Sequence, residues 1–575
     1  MKKIIQFVVI LTLTVLGVFI LYNFRTLDDN RLTSWEWVFG TVKITRILVL
    51  LVPGGIVAFM LSKTPVPDRC PGLFLFILSF AAAAMFWREP EVIVDASRYF
   101  TQAKHLELYG TGYFLREWGK TIQVWTDLPL MPFIYGLVFR YLGEARIYVQ
   151  LVTTLLFSFT VVLTYMIGKT LWDKEAGFFG GMFLLGIPYI FTQAPLMLVD
   201  IPTMFFFTFA VFAFITALER GGIWAPVASA ALFLFIFSKY SAWLMLSLFV
   251  IIVAVRLLQS HLSPVEIPVR KYILRIIITL LPAALAAGVV MLLKHDVFSS
   301  QINLLLSYQK PGLKRWGESF ISTFLFQVHP FISMAAAFSL YSAWKKKDPK
   351  YLIISCSMAL IFVLQVKRIR YTVIAFPMFA LMASYGTTAI RETGLKRQIV
   401  FSVAACSLII AVFAYLPFLQ QTSAQNLQSA GVFLNSLPGK NIEVITLPRK
   451  DDYVNIAVSV PILDLFTDKR IHYVYYRADY LNYMPPPEKI AVSPLRFTWI
   501  YKNPDYYSRD PRRDFDLTGN SSGHSSGTAV TVIAAELLSP LPEEVALAVK
   551  KYRNSKSFSI SDDIFDHQTL VTVYY

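Results

Sequence analysis

The chain has 575 residues, of which 56% are hydrophobic and only 16% charged, with a mean hydropathy of +0.55. Soluble domains carry about 25% charged residues, so this composition excludes a soluble enzyme and points to a polytopic α-helical membrane protein. The net charge of +16 fits basic cytoplasmic loops and attraction to anionic headgroups, and no nucleic-acid partner is expected. Cys70, Cys356 and Cys406 lie in or beside apolar runs without paired spacing, which suggests neither a disulfide framework nor a Cys-based zinc site.

A helix needs about 20 apolar residues to cross the hydrocarbon, and such runs recur from residue 4 to about residue 419 and then stop. The expected spans, about 13 in number, are 4–22, 44–62, 71–87, 147–167, 177–194, 202–218, 224–238, 240–257, 273–293, 321–343, 351–366, 371–390 and 399–418. The first, "IIQFVVILTLTVLGVFILY" behind Lys2 and Lys3, is read as a retained signal anchor, because it is long and lacks a small-residue cleavage site. With the N-terminus inside, "SKTPVPDR", "GKTLWDKE", "RKYILR", "WKKKDPK" and "RETGLKRQ" become cytoplasmic loops, each carrying at least two basic residues. The run 128–144, "LPLMPFIYGLVFRYLGE", is expected to be partly inserted or in-plane, since a full crossing there would put "WKKKDPK" outside. That leaves a long external loop, 88–146, and a second one, 295–319.

In the first loop, Asp95, Tyr99, Ala103 and Leu106 follow helical spacing and define one apolar face with a carboxylate at its start. Two readings stand for Asp95: an N-cap of an in-plane helix, or a catalytic carboxylate. Asp200 in "LMLVDIP" lies at the external mouth of a span. Asp-Ile-Pro is a good helix start, but acids at membrane depth are expensive and usually functional. Two external acids at span mouths suggest a shared site.

Lys367, Arg368 and Arg370 cluster between two spans on the external side, against the positive-inside tendency. Snorkelling to headgroups explains this in one way; a bound anion explains it in another, since the arginine fork suits phosphate. Lys239 falls at an external turn, and Lys310, Lys314 and Arg315 lie in the 295–319 loop. Tyr99, Tyr109, Trp118 and Tyr308 are candidate walls of a sugar cavity, or interfacial anchors. Acids and a phosphate-binding cluster at the outer surface suit a sugar carried on a polyprenyl phosphate: the phosphate leaves readily, cations stabilise it, and a carboxylate removes the acceptor's proton.

Beyond residue 419 the chain turns polar, with β-like runs "NIEVITL", "RIHYVYY", "RFTWIY", "AVTVIAAEL" and "TLVTVYY" between helical patterns "SAQNLQSAGVFLNSL" and "PEEVALAVKKYR". Residues 420–575 are therefore expected to form a small extracytoplasmic α/β domain following the 1–419 membrane module. The tract "GNSSGHSSG" reads as a loop in which His524 carries no chemistry.

The order of "DASRYFTQA", "DLPLMPFIYGLVFRYLGE", "YMIGKTLWDKEAGFFGGMFLLGIP", "LMLVDIP" and "KRIRYTVIAFPMFALMASYG" resembles that of GT-C membrane glycosyltransferases of the protein O-mannosyltransferase and aminoarabinose transferase type. The resemblance covers roughly residues 70–390. It implies a multi-pass cell (inner) membrane enzyme, acting as a monomer, with active site and C-terminal domain extracytoplasmic. The donor would be a polyprenyl-phosphate sugar and the acceptor a lipid, glycan or protein hydroxyl. The reaction implied is an inverting single displacement, with Asp95 as general base or acceptor-positioning group. Asp200 would be the second acid, and Arg368 and Arg370, beside Lys367 and Tyr371, would hold the lipid-linked phosphate.

The chain departs from the family in having Ala96 after Asp95, where relatives often have an acidic pair. It also has "TDLPL" where many have Lys or His ahead of paired prolines; Lys120 or Lys239 would take over that donor-phosphate contact. A metal-dependent relative would want more acidic ligands, so metal-independent chemistry is favoured, although one or two carboxylates plus water could hold a divalent ion. Two other functions are compatible with external charges. One is a transporter or flippase of a lipid-linked or anionic substrate, which would favour midplane ionisable groups and inverted repeats; the other is a non-catalytic membrane scaffold presenting the C-terminal domain.

Overall fold

The structure, a computed structural model, describes residues 2–64, 69–262, 269–310, 317–449, 454–475, 486–492, 495–500, 504–507, 529–536, 540–562, 564–565 and 567–575. Among these, eight helices are long and apolar enough to cross a membrane: Lys3–Asn23, Ile44–Lys63, Pro71–Arg88, Arg146–Leu171, Asp200–Arg220, Tyr240–Gln259, Val269–Leu293 and Thr393–Leu419. Each coincides with an expected span. Of the other five expected spans, two are single short helices, Trp224–Ile236 and Tyr351–Val363, and three are built from shorter pieces, such as Lys174–Leu185 with Pro188–Gln193, or Ser322–Gln327 with Pro330–Lys346. Pro188, Pro330 and Pro377 each open a helix. The first turn tolerates a missing N–H, but proline cannot extend the preceding helix, so a run that reads as one span is divided in two.

Only 17% of the apolar window of Lys3–Asn23, Ile44–Lys63 and Val269–Leu293 is buried, against 89% for Asp200–Arg220. The last is therefore a core helix, while Leu285, Val289 and Leu292, all exposed, make sense only against hydrocarbon. The helix Leu130–Leu142 has 13 residues, about 20 Å at 1.5 Å per residue, too short to cross the hydrocarbon alone.

By contact the chain forms two compact units, one of residues 1–87, 126–131 and 150–418, the other of 88–125, 132–149 and 419–575. In the helical unit, Arg146–Leu171 and Lys174–Leu185 touch through paired glycines. A Cβ on Gly168 would fall 2.6 Å from the Gly177 Cα, and one on Gly177 would fall 2.8 Å from the Lys169 amide nitrogen. Small residues are what allow such close backbone approach. Gly177→Leu is accordingly expected to cost about 1–3 kcal/mol or more, seen as a lower melting temperature of the detergent-solubilised protein.

The second unit contains a five-stranded sheet in the order β2-β1-β3-β5-β4, with β1 Asn441–Leu447, β2 Arg470–Tyr475, β3 Ala529–Ala534, β4 Ser555–Phe558 and β5 Leu570–Tyr574. β1 runs parallel to β2 and β3, and β5 antiparallel to β3 and β4. Ile442 and Val444 enter one core with Leu427 and Leu434 of the helix Ala424–Ser436; Ile445 and Leu447 enter another with Val545 and Val549 of Glu543–Val549. Burial on both faces explains why apolar residues fall at both parities of β1, Ile442 and Val444 on one face, Ile445 and Leu447 on the other.

One strand expectation is corrected, and one strand is unexpected. "RFTWIY" is not a strand: Arg496–Ile500 is a helical turn that buries Phe497 and Trp499. A run that short carries no period able to separate helix from strand. "SKSF" forms the mostly exposed edge strand β4, whose polar, Lys-bearing composition is how edges resist further pairing and also why it escapes notice. The 519–527 tract, including His524, lies outside the described residues.

Candidate functional site

In the helical unit, Asp200 is the first residue of Asp200–Arg220, with Val199 in the capping position. Its side chain is 1% exposed, and its two oxygens face different cations. Lys239 Nζ donates to Oδ1 at 2.5 Å; Arg370 Nη2 and Nε donate to Oδ2 at 3.0 and 3.3 Å. The Tyr371 ring centroid is 4.7 Å from Lys239 Nζ and 5.7 Å from the Arg368 guanidinium carbon, within cation–π range. Lys367 is exposed at the edge. A carboxylate engaged by cations on both oxygens suits an orienting counterion better than a proton acceptor.

Sequence reasoning did not single out Glu318. Its carboxylate accepts the backbone N–H groups of Ile369 at 2.8 Å and Arg31 at 3.4 Å, which sets the backbone between Arg368 and Arg370. Burial pushes this carboxyl above its usual range, while the two N–H bonds pull it back. Lys239, Arg368 and Arg370 thus meet around Asp200 and Tyr371, each partly open to solvent, and cations so placed suit an anion. Nearby, the Tyr240 hydroxyl donates to Gln301 Oε1 at 2.6 Å, Gln301 Nε2 donates to the Asp127 carbonyl at 3.0 Å, and Gln309 Nε2 donates to Thr126 Oγ1 at 2.7 Å. These bonds seat the half-buried Tyr308, on the π-helical turn Leu305–Gln309. Lys310 is exposed; Lys314 and Arg315 lie outside the described residues.

Asp95 belongs to the second unit. It is the first residue of the helix Asp95–Glu117, and Val94 occupies the capping position, so the N-cap reading of Asp95 is corrected. Arg98, one turn on, pairs with it at 3.7 Å. Tyr99, Ala103 and Leu106 are buried as the spacing predicts. The helix breaks at Gly110, which adopts φ +86, a conformation that only glycine adopts at little cost. Tyr109 is 51% exposed and Trp118 buried, while Lys120 is exposed, its N–H donating to the Glu117 carbonyl.

Three more charged residues escaped the sequence reading. Glu91 Oε1 accepts from Arg146 Nε at 3.0 Å, both side chains being buried. Glu89 is 0% exposed and, among the described residues, neither of its oxygens has a hydrogen-bond partner. Burial drives its carboxyl well above the ordinary 4.5, partly opposed by Arg146 and reinforced by Glu91. The unfolded chain loses this proton near 4.5 while the folded chain keeps it, so stability falls as pH rises above that value by up to about 1.4 kcal/mol per unit. Glu89→Gln should therefore melt like wild type near pH 4 and higher than wild type at pH 7.5. Equal melting at both pH values would show that Glu89 is not held neutral. Among the described residues, no three His, Cys, Asp or Glu side chains converge as a metal site would require.

Neither a scan against protein-family models nor a search of curated proteins returns a match. Similar solved structures include ArnT from Cupriavidus metallidurans bound to undecaprenyl phosphate, 10% identical, with a TM-score of 0.53 over 88% of this chain and 98% of that one. The apo form of the same protein gives 11% identity and 0.49 over 86% and 97%. AglB, the archaeal oligosaccharyltransferase from Archaeoglobus fulgidus in complex with an inhibitory peptide and a dolichol-phosphate, gives 11% and 0.39 over 65% and 62%. The first of these likenesses, spanning nearly all of ArnT, shows the fold: this is a multi-pass membrane protein of GT-C-like architecture.

Proposed function

We propose that the protein is an integral-membrane glycosyltransferase that moves a sugar from a polyprenyl-phosphate donor to a hydroxyl on the extracytoplasmic side of the cell (inner) membrane. The observation that carries this reading is the half-buried cluster of Lys239 and Arg370 on the buried Asp200, with Arg368 beside them at Tyr371, in a chain that shares its fold with a protein captured with undecaprenyl phosphate. Lys239 and Arg370, oriented by Asp200, and Arg368 hold the donor phosphate; Tyr371 and Tyr308 border it, and Lys120 and Lys367, both exposed, contribute only to the approach of the anionic donor.

In the reaction, the acceptor oxygen attacks the anomeric carbon as the bond from that carbon to the phosphate oxygen breaks. The electron pair leaves with the phosphate, whose growing charge falls on fixed cations that need no reorganisation. Asp95 takes the acceptor's proton, and the buried Tyr99 packs one turn behind it. One displacement inverts the anomeric configuration and leaves no sugar on the enzyme.

The test is transfer from a panel of radiolabelled polyprenyl-phosphate sugars by the purified protein, with a mixed lipid and protein acceptor extract. Labelled product that depends on the protein is expected. If folded protein consumed no donor across the panel, the reading would fail and the transporter and scaffold alternatives would return.

A further inference from the structure

Within the second unit, the helix that Asp95 begins is held at two heights by residues of the C-terminal segment. The first hold is at Arg98, the ion-pair partner of Asp95. Its guanidinium carbon lies 4.3 Å from the ring centroid of Phe497, well inside the roughly 6 Å range of cation–π attraction. Phe497 is itself fixed: it is 7% exposed, the Trp125 ring lies 6.4 Å away, and the adjacent Thr498 hydroxyl accepts the Asn455 N–H at 3.2 Å.

The second hold is at Lys104. Its Nζ donates to Asp464 Oδ2 at 2.6 Å and to Glu144 Oε1 at 2.7 Å, and the Tyr507 hydroxyl donates to the same Asp464 oxygen at 2.6 Å. All of these carboxylates are largely buried. Asp464 ends the helix Ser459–Asp464, where a negative charge opposes the helix dipole, so its placement there is explained by Lys104 and Tyr507 rather than by its own helix. Lys104 is six residues beyond Arg98, about 240° around the axis at 3.6 residues per turn. Two holds at different heights and on different faces fix both the tilt and the rotation of the helix.

We propose that the C-terminal α/β segment is a positioning element for Asp95: Phe497 sets the guanidinium beside the carboxylate, and Asp464 with Tyr507 anchors the helix through Lys104. This rests on the reading of Asp95 as general base. Small displacements of a reacting group are costly in rate, about 10²-fold for 1 Å, so the C-terminal segment acts on turnover rather than on donor binding.

The discriminating variants are Phe497→Leu, which keeps apolar volume but removes the ring face, and Phe497→Trp, which keeps a face. Transfer kinetics and hydrogen–deuterium exchange of the peptide covering residues 95–109 are read side by side. Phe497→Leu should lower kcat about 5- to 20-fold, on the scale of a sub-ångström misplacement, with donor KM within about twofold and exchange of that peptide several-fold faster. Phe497→Trp should stay near wild type in both, and Asp464→Asn should repeat the Leu pattern. Wild-type kcat and exchange in Phe497→Leu would overturn the proposal, as would faster exchange throughout the second unit, which marks a merely structural residue. Should the wild-type protein transfer no sugar, the base reading of Asp95 falls on its own. The exchange comparison would still say whether Phe497 and Asp464 hold this helix.

Discussion

Asp95→Asn is expected to lower kcat for sugar transfer about 10²- to 10⁴-fold, the range that general-base groups supply, with little change in donor affinity. The phosphate leaving group needs no proton, so the acid–base demand of the reaction falls on the acceptor hydroxyl. Asparagine has nearly the shape of aspartate and can still meet Arg98, so a lost rate reports on lost basicity rather than on a collapsed helix. Initial rates at saturating donor, beside the Kd for polyprenyl phosphate, separate the two. A variant that kept more than about a tenth of wild-type kcat would move the base elsewhere, and Glu91 in the same loop would be the next carboxylate to replace.

The second large effect is expected at Arg370. Arg370→Ala leaves Asp200 with Lys239 alone among the two cations that touch its carboxylate, which brings that pair to neutrality and removes the fork that donates to both charge and geometry. Charge-assisted hydrogen bonds contribute about 1.5–3 kcal/mol each, so the Kd for polyprenyl phosphate should rise roughly 10- to 100-fold. Arg370→Ala also leaves the buried Asp200 Oδ2 without its two Arg370 hydrogen bonds, a cost of about 1–3 kcal/mol, and the melting temperature should fall in the same experiment. Arg370→Lys restores the charge without the planar fork. It is expected to recover most of the stability and only part of the affinity. Full recovery of affinity by lysine would mean that a point charge is enough there; unchanged affinity in Arg370→Ala would remove Arg370 from the phosphate site.

The sequence by itself determined the features that are properties of one segment at a time. Hydropathy over about 20 residues located the eight long apolar helices, because burial in hydrocarbon acts on each helix separately. The apolar face of Tyr99, Ala103 and Leu106, the acid opening the helix at Asp200, and the basic cluster at Lys367, Arg368 and Arg370 could be read from spacing and charge alone. So could four of the five strands, whose apolar runs reflect burial within one sheet. What only the tertiary structure decided involves partners far apart in the chain. Asp200 and Arg370 are 170 residues apart, and Lys104 and Asp464 are 360 apart, so no local pattern records either pair. The same holds for Glu318, whose partners are backbone N–H groups that every residue type offers, and for Glu89, which looks like any loop acid until its surroundings exclude water. Phe497 illustrates the limit most directly: five residues, Arg496 to Ile500, carry too little periodicity to choose between strand and helix, and the guanidinium above the ring belongs to a segment nearly 400 residues earlier in the chain.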